Sequence, residues 1–106
     1  MAYDRNTDRL FIANRDGPLG GSLNIGVISP TPQITRTVTG LFSAQGVAQD
    51  VARHRLYVVG WDWLNVINSD TYVPTTTVTL GTGVNAHAVA YNPNNSKIYV
   101  TVVVGT

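Results

Sequence analysis

Three stretches of the chain align without gaps: "MAYDRNTDRLFIAN" from Met1, "VAQDVARHRLYVVG" from Val47 and "VAYNPNNSKIYVTV" from Val89, spaced 46 and 42 residues apart. The matching columns are Met1, Val47, Val89; Ala2, Ala48, Ala90; and Asp4, Asp50, Asn92. Further along come Arg9, Arg55, Lys97; Leu10, Leu56, Ile98; Phe11, Tyr57, Tyr99; and Ile12, Val58, Val100. A second register agrees, because "GVIS" at 26–29 and "NVIN" at 65–68 hold the same place in their units. A repeat that preserves size, charge and aromaticity in one register makes the chain build one supersecondary unit several times over. The units run 1–46, 47–88 and, in part, 89–106.

Each unit reads as strands. "RLYVV" and "KIYVTVVV" are β-branched, aromatic and almost continuously apolar, the pattern of strands buried on both faces. "LNIGVIS" and "LNVIN" are further short strands, and "TTTVTL" is a Thr-rich strand suited to exposure. Between them lie turn clusters such as "DRNTD", "NPNN" and "SPTPQ". Pro18, Pro30, Pro32, Pro74 and Pro93, with ten glycines, interrupt every window long enough for a helix. The expectation is all-β, with four strands from Met1 to Gly40, four from Gly46 to Leu80 and two from Ala86 to Val104. Four short antiparallel strands at this period are the signature of β-propeller blades, whose two apolar faces need neighbouring blades to cover them.

The residues that carry this repeat also carry a resemblance. "AHAVAYNPNNSKIYVT" at 86–101, "GVAQDVARHRLYVV" at 46–59, "NVINSDTY" at 65–72 and "TTTVTLGTGVNAHAVA" at 75–90 resemble the YVTN-type β-propeller repeat family over nearly the whole chain. Asn68 stands where that family prefers Asp, and the first unit carries the insertion "RDGPLGGSLN". The resemblance implies an incomplete propeller of about two and a half blades in this stretch. It implies blade packing by Phe11, Tyr57, Val58, Tyr99 and Val100, and a His87 that bonds across to the next blade. It further implies a prokaryotic, exported or cell-surface protein that acts as a scaffold or binder, because the family shares an architecture rather than a reaction.

Composition narrows the partners. Seven Lys+Arg against six Asp+Glu give a net charge of +1, with no basic run, so no nucleic-acid footprint is expected. There is no cysteine, which removes disulfides and thiolate metal ligation. No apolar run approaches the ~20 residues of a spanning helix. Residues 1–20 lack the layout of a signal peptide.

Few residues suggest chemistry. Trp61, Asp62 and Trp63 follow the second strand of the middle unit; two indoles flanking a carboxylate can stack on a sugar or clamp a cation. Their plainer role is packing on the neighbouring unit, with Asp62 capping the turn. His54 falls in a polar turn, and the two histidines occupy different places in their units, which disfavours a shared metal. Asp4, Asn6 and Asp8 alternate as in a calcium loop, yet the matching turns cannot chelate alike and Arg9 follows, so they read as Asx-turn residues. "NNS" at 94–96 fits a glycosylation sequon on a turn. "GPLGGS" lacks the Lys and the helix of a phosphate cradle.

The functional expectation is a non-enzymatic binding or scaffold module with no cofactor. Its partner is protein, through self-association or strand pairing, with carbohydrate as a second ligand class. A self-assembling surface-layer or filament subunit is one alternative. A fragment of a lyase or quinoprotein-like propeller enzyme is another, although the chain contains no Glu. The half unit "AVAYNPNNSKIYVTVVVGT" raises the question of what pairs with its last strand, since a bare edge invites aggregation.

Overall fold

A computed structural model describes residues 2–4, 9–14, 22–27, 32–39, 41, 43–81 and 84–104. The alternating Asn6 and Asp8, the "RDGPLGG" insertion, Met1, Pro18 and Pro30 lie outside the described residues. The chain is all-β, and among the described residues ten strands form three antiparallel sheets. The first sheet is a meander of β1 (Ala2–Asp4), β2 (Arg9–Asn14), β3 (Ser22–Val27) and β4 (Gln33–Thr39). The second repeats it with β5 (Ala44–Asp50), β6 (Arg55–Gly60), β7 (Trp63–Asn68) and β8 (Pro74–Thr79). The third contains β9 (Val84–Asn92) and β10 (Lys97–Val104). No helix among the described residues is long and apolar enough to cross a membrane.

The repeat is faithful down to its irregularities. Pairing between β3 and β4 skips Thr35, and pairing between β7 and β8 skips Thr75. Each skipped threonine turns its hydroxyl back onto a carbonyl of the facing strand, Thr35 onto Ile25 and Thr75 onto Val66, both at 3.0 Å. Thr37 donates to Asn24 and Thr77 to Asn65, both at 2.8 Å. A bulge of this kind bends a strand and sharpens its twist. The same bend at the same place gives two sheets of one shape, and two such sheets can nest.

Nesting follows from alternation. Successive side chains of a strand point to opposite faces. On β6, Leu56 and Val58 join Phe11, Leu23, Ile25 and Val38 of the first sheet in one core. Tyr57 and Val59 join Ala86, Val89, Tyr91, Ile98 and Val100 of the third sheet in another. Leu56, Val58 and Val59 are each 0% exposed, so the central sheet is covered on both faces. This is the physical reason for an unbroken apolar run in "LYVV". Each fully buried aliphatic side chain there contributes roughly 1.5–3 kcal/mol. The second and third sheets approach closest at β5 and β9. A methyl added at Gly46 would lie 3.1 Å from the Ala88 Cα, so only glycine admits this spacing without movement.

The rule extends to the column of Phe11, Tyr57 and Tyr99. Phe11, Tyr57 and Tyr99 each point toward the sheet that follows in sequence. Phe11 meets the second sheet and is 1% exposed; Tyr57 meets the third and is 4% exposed. Tyr99 points away from the second sheet and is 52% exposed. Tyr99 keeps the orientation of its two counterparts, and no described sheet lies over it. Val100, by contrast, packs toward the second sheet, as expected from Val58. His87 lies within β9, at the residue the register passes over opposite Thr101 and Val102, and it is exposed.

This packing has a measurable signature. Tyr57→Ala and Phe11→Ala should each lower unfolding free energy by about 3–5 kcal/mol in urea titrations. Tyr99→Ala should change the monomer by less than about 0.5 kcal/mol. Equal losses at Tyr57 and Tyr99 would contradict the stacking order.

Candidate functional site

Polar side chains that face a neighbouring sheet gather where the first two strands of a unit meet. In the second sheet the chain leaves β5 at Asp50, turns through residues 51–54 and re-enters at Arg55. His54 takes a left-handed φ of 55° to close this turn, and Ser96, its counterpart in the third sheet, takes 57°. The turn folds Arg53 back over Asp50. The Asp50 carboxylate is 0% exposed and accepts from the Arg53 amide and guanidinium, both at 3.2 Å, and from the Tyr57 hydroxyl at 3.3 Å. Arg53 then reaches across to the third sheet and donates to the Tyr91 hydroxyl at 2.8 Å and to the Ser96 hydroxyl at 3.3 Å. Beneath this bridge the Tyr57 and Tyr91 rings pack with centroids 5.9 Å apart, tilted by 32°.

A cavity of about 650 Å³ opens beside the bridge, lined by Gln49, Asp50, Arg53, Tyr91, Pro93 and Ser96 among others. The junction between the first and second sheets carries its equivalent, a smaller hollow of about 140 Å³ that includes Asp4, Phe11, Gln49, His54 and Asp70. There Gln49 donates to the buried Asp4 carboxylate at 3.0 Å. Arg9 donates to the Tyr72 hydroxyl, and the Arg9 and Arg36 guanidinium groups lie 5.6 and 5.3 Å from the Tyr72 ring centroid. His54 Nδ1 lies 3.3 Å from Asp70, with both side chains well exposed. The two junctions share one design: a buried aspartate at the end of a first strand, facing the third-column residue of the next sheet. Those third-column residues are Gln49 and Tyr91; their counterpart in the first sheet is Tyr3.

Burial of Asp50 pushes its carboxyl pKa up. The bonds from the Arg53 side chain and amide, the guanidinium charge and the Tyr57 hydroxyl outweigh that and hold it below the usual carboxylate range. Burial raises the Tyr57 phenol. Asp50 is therefore charged throughout the neutral range. Its bonds order the bridge.

The Trp61–Trp63 segment sits at the opposite end of the sheets. Trp61 is 53% exposed and adopts a left-handed φ of 45°, a strained conformation for a bulky residue. Its carbonyl accepts from the Ala86 amide at 2.6 Å, tying the second sheet to the third. The Asp62 carbonyl accepts from Leu80 at 2.6 Å. Trp63 opens β7 and packs, half-buried, on the core between the first and second sheets. The two indoles thus have different tasks: Trp63 is a packing residue and Trp61 presents an exposed ring. Of the expected Asx-turn residues Asp4, Asn6 and Asp8, the last two lie outside the described residues, and Asx side chains hold two other turns. Asn68 Oδ1 accepts from the Asp70 and Thr71 amides at 2.8 and 3.1 Å, and Asn92 Oδ1 accepts from Asn94 at 2.9 Å.

Sequence reasoning singled out neither Arg53 nor the third column. Arg53 aligns with Asn95 and Tyr91 with Gln49, so column identity hides both. The signal was the alternation itself, which places the third column on the face opposite the fourth. Among the described residues no group of three or more His, Asp or Glu is placed to hold a metal ion. No protein-family model and no curated protein matches the chain.

The Asp50 bridge makes stability depend on pH in a defined direction. A carboxylate held below its unfolded pKa of about 3.9 contributes stability that is full above that value and fades as pH falls through the folded pKa. Asp50→Asn should therefore destabilise the fold at pH 7, and the gap between the two proteins should narrow below about pH 4. Urea midpoints at pH 7, 5, 4 and 3 measure this; a gap that widens on acidification contradicts the bridge.

Proposed function

We propose that the chain is a non-enzymatic binding or scaffold module, built of β-propeller blades and belonging to a larger propeller or assembly. One observation carries the reading. The two outward faces of the stack display the same columns whose counterparts are buried at its two internal junctions. On the first sheet these are Tyr3, 45% exposed, with Leu10 and Ile12; on the third sheet the leading residue is Tyr99, 52% exposed. Faces of this kind mark contact surfaces rather than a finished exterior. The nearness of the first strands β5 and β9, the four-stranded meanders and the YVTN-like repeats support the propeller reading. The polar side chains at the junctions are used in hydrogen bonds and ring contacts that hold sheets together, which supports scaffolding over catalysis.

A self-assembling structural role is the second reading, favoured because each molecule carries both kinds of face and, among the described residues, a β10 edge that pairs with no further strand. Carbohydrate binding, if present, falls to the exposed Trp61 ring, with Asp62 beside it.

Light scattering coupled to size exclusion separates these proposals from a self-sufficient domain. The 11.4 kDa chain should elute as a concentration-dependent oligomer at micromolar levels. A folded monomer at all concentrations overturns the assembly reading.

A further inference from the structure

We infer that the two open faces are partners for each other. The third sheet of one copy stacks on the first sheet of a second copy, and Tyr99 packs against Tyr3 as Tyr57 packs against Tyr91. This rests on the assembly reading above and specifies which surfaces meet and in what register.

The argument is continuity with the two junctions already formed. At the second one, the eleventh-column residue of one sheet, Tyr57, meets the third-column residue of the next sheet, Tyr91, with ring centroids 5.9 Å apart. Ala48 stands opposite Tyr57 on the same face, and its small size leaves room for the incoming ring. The open faces hold the same parts. Tyr99 occupies the column of Tyr57, and Ala90 lies opposite it as Ala48 lies opposite Tyr57. Tyr3 occupies the column of Tyr91, beside Leu10 as Tyr91 is beside Ile98. Leu10 and Ile12 complete that face in the columns of Ile98 and Val100.

Tyr99 is already set for the role. The Tyr57 hydroxyl is held at the first turn of its sheet by Asp50 (3.3 Å), and the Tyr99 hydroxyl is held at the corresponding turn by Asn95 (2.8 Å). Asn95 stands in the column of Arg53, the residue that bridges the second junction. The new junction replaces a charged bridge with a neutral one, since Asn92 and Asn95 stand in the places of Asp50 and Arg53. Aromatic pairs of this kind contribute beyond their buried area, and tyrosine anchors dominate interfaces. The contact is heterologous, so it closes into a ring when the rotation permits and otherwise runs on as a filament.

Tyrosine coupling tests the register directly. Visible-light oxidation with a ruthenium sensitiser joins neighbouring tyrosines, and mass spectrometry of mixed ¹⁴N and ¹⁵N chains separates products within a chain from products between chains. The Tyr57–Tyr91 product within one chain serves as the internal standard. The expected result is a Tyr3–Tyr99 product between chains that fades on dilution while the standard persists. Tyr99→Phe should abolish that product without abolishing association, and Tyr99→Lys should weaken association about tenfold or more. Association with Tyr99–Tyr99 as the dominant product, or with none at Tyr3, overturns this register and leaves the assembly reading intact. A standard product without any association overturns both, and loss of the Tyr57–Tyr91 product itself removes the contact on which the register is built.

Discussion

The whole arrangement depends on a sheet that is apolar on both sides. A four-stranded meander such as β5–β8 has two flat faces, and Leu56, Tyr57, Val58 and Val59 make both of them hydrophobic. Leaving either face in water would forfeit several buried side chains at roughly 1.5–3 kcal/mol each. The first and third sheets relieve this by covering one face each, but they are repeats of the same unit and inherit the same pair of faces. Covering one sheet therefore exposes the next. A repeat of this type defers its unburied surface to its ends, and stability becomes a sum over junctions rather than a property of one unit.

Polar residues turn a stack into a register. Apolar faces alone tolerate sliding, whereas the Asp50–Arg53–Tyr91 bridge and the Asp4–Gln49 bond fix each junction at one end. The Trp61–Ala86 contact and the Gln45–Asn85 side-chain bond fix the second junction at the other end. A buried carboxylate is costly unless fully bonded, and Asp50 accepts bonds on both oxygens. Its value is specificity of alignment. The strained φ of Trp61 belongs to the same economy, since the strain is offset by a main-chain bond between sheets.

Much of this was legible in the residues. Column repetition and β-branched runs pointed to ten strands in groups of four, four and two, and the structure has that grouping. Continuous burial of "LYVV" was legible for the same reason. The exposure of Tyr99 was not, because a column reports the direction of a side chain and not whether anything covers it. The bulge at His87 was not legible, because it has no local sequence mark in "NAHAVA". Arg53 escaped notice because its role depends on a turn that folds it over Asp50 toward another sheet. The two tryptophans divide because Trp63 opens β7 and packs on the core, whereas Trp61 sits in the left-handed turn before it.

The central claim is that adjacent residues of β6 serve two different junctions. Nuclear Overhauser contacts from Tyr57 and Val58 test it most directly in the isotope-labelled chain. The Tyr57 ring should show contacts to Tyr91, and the Val58 methyls should show contacts to Phe11. Contacts from both residues to the same sheet, or none from Tyr57 to the third sheet, would contradict the stacked architecture.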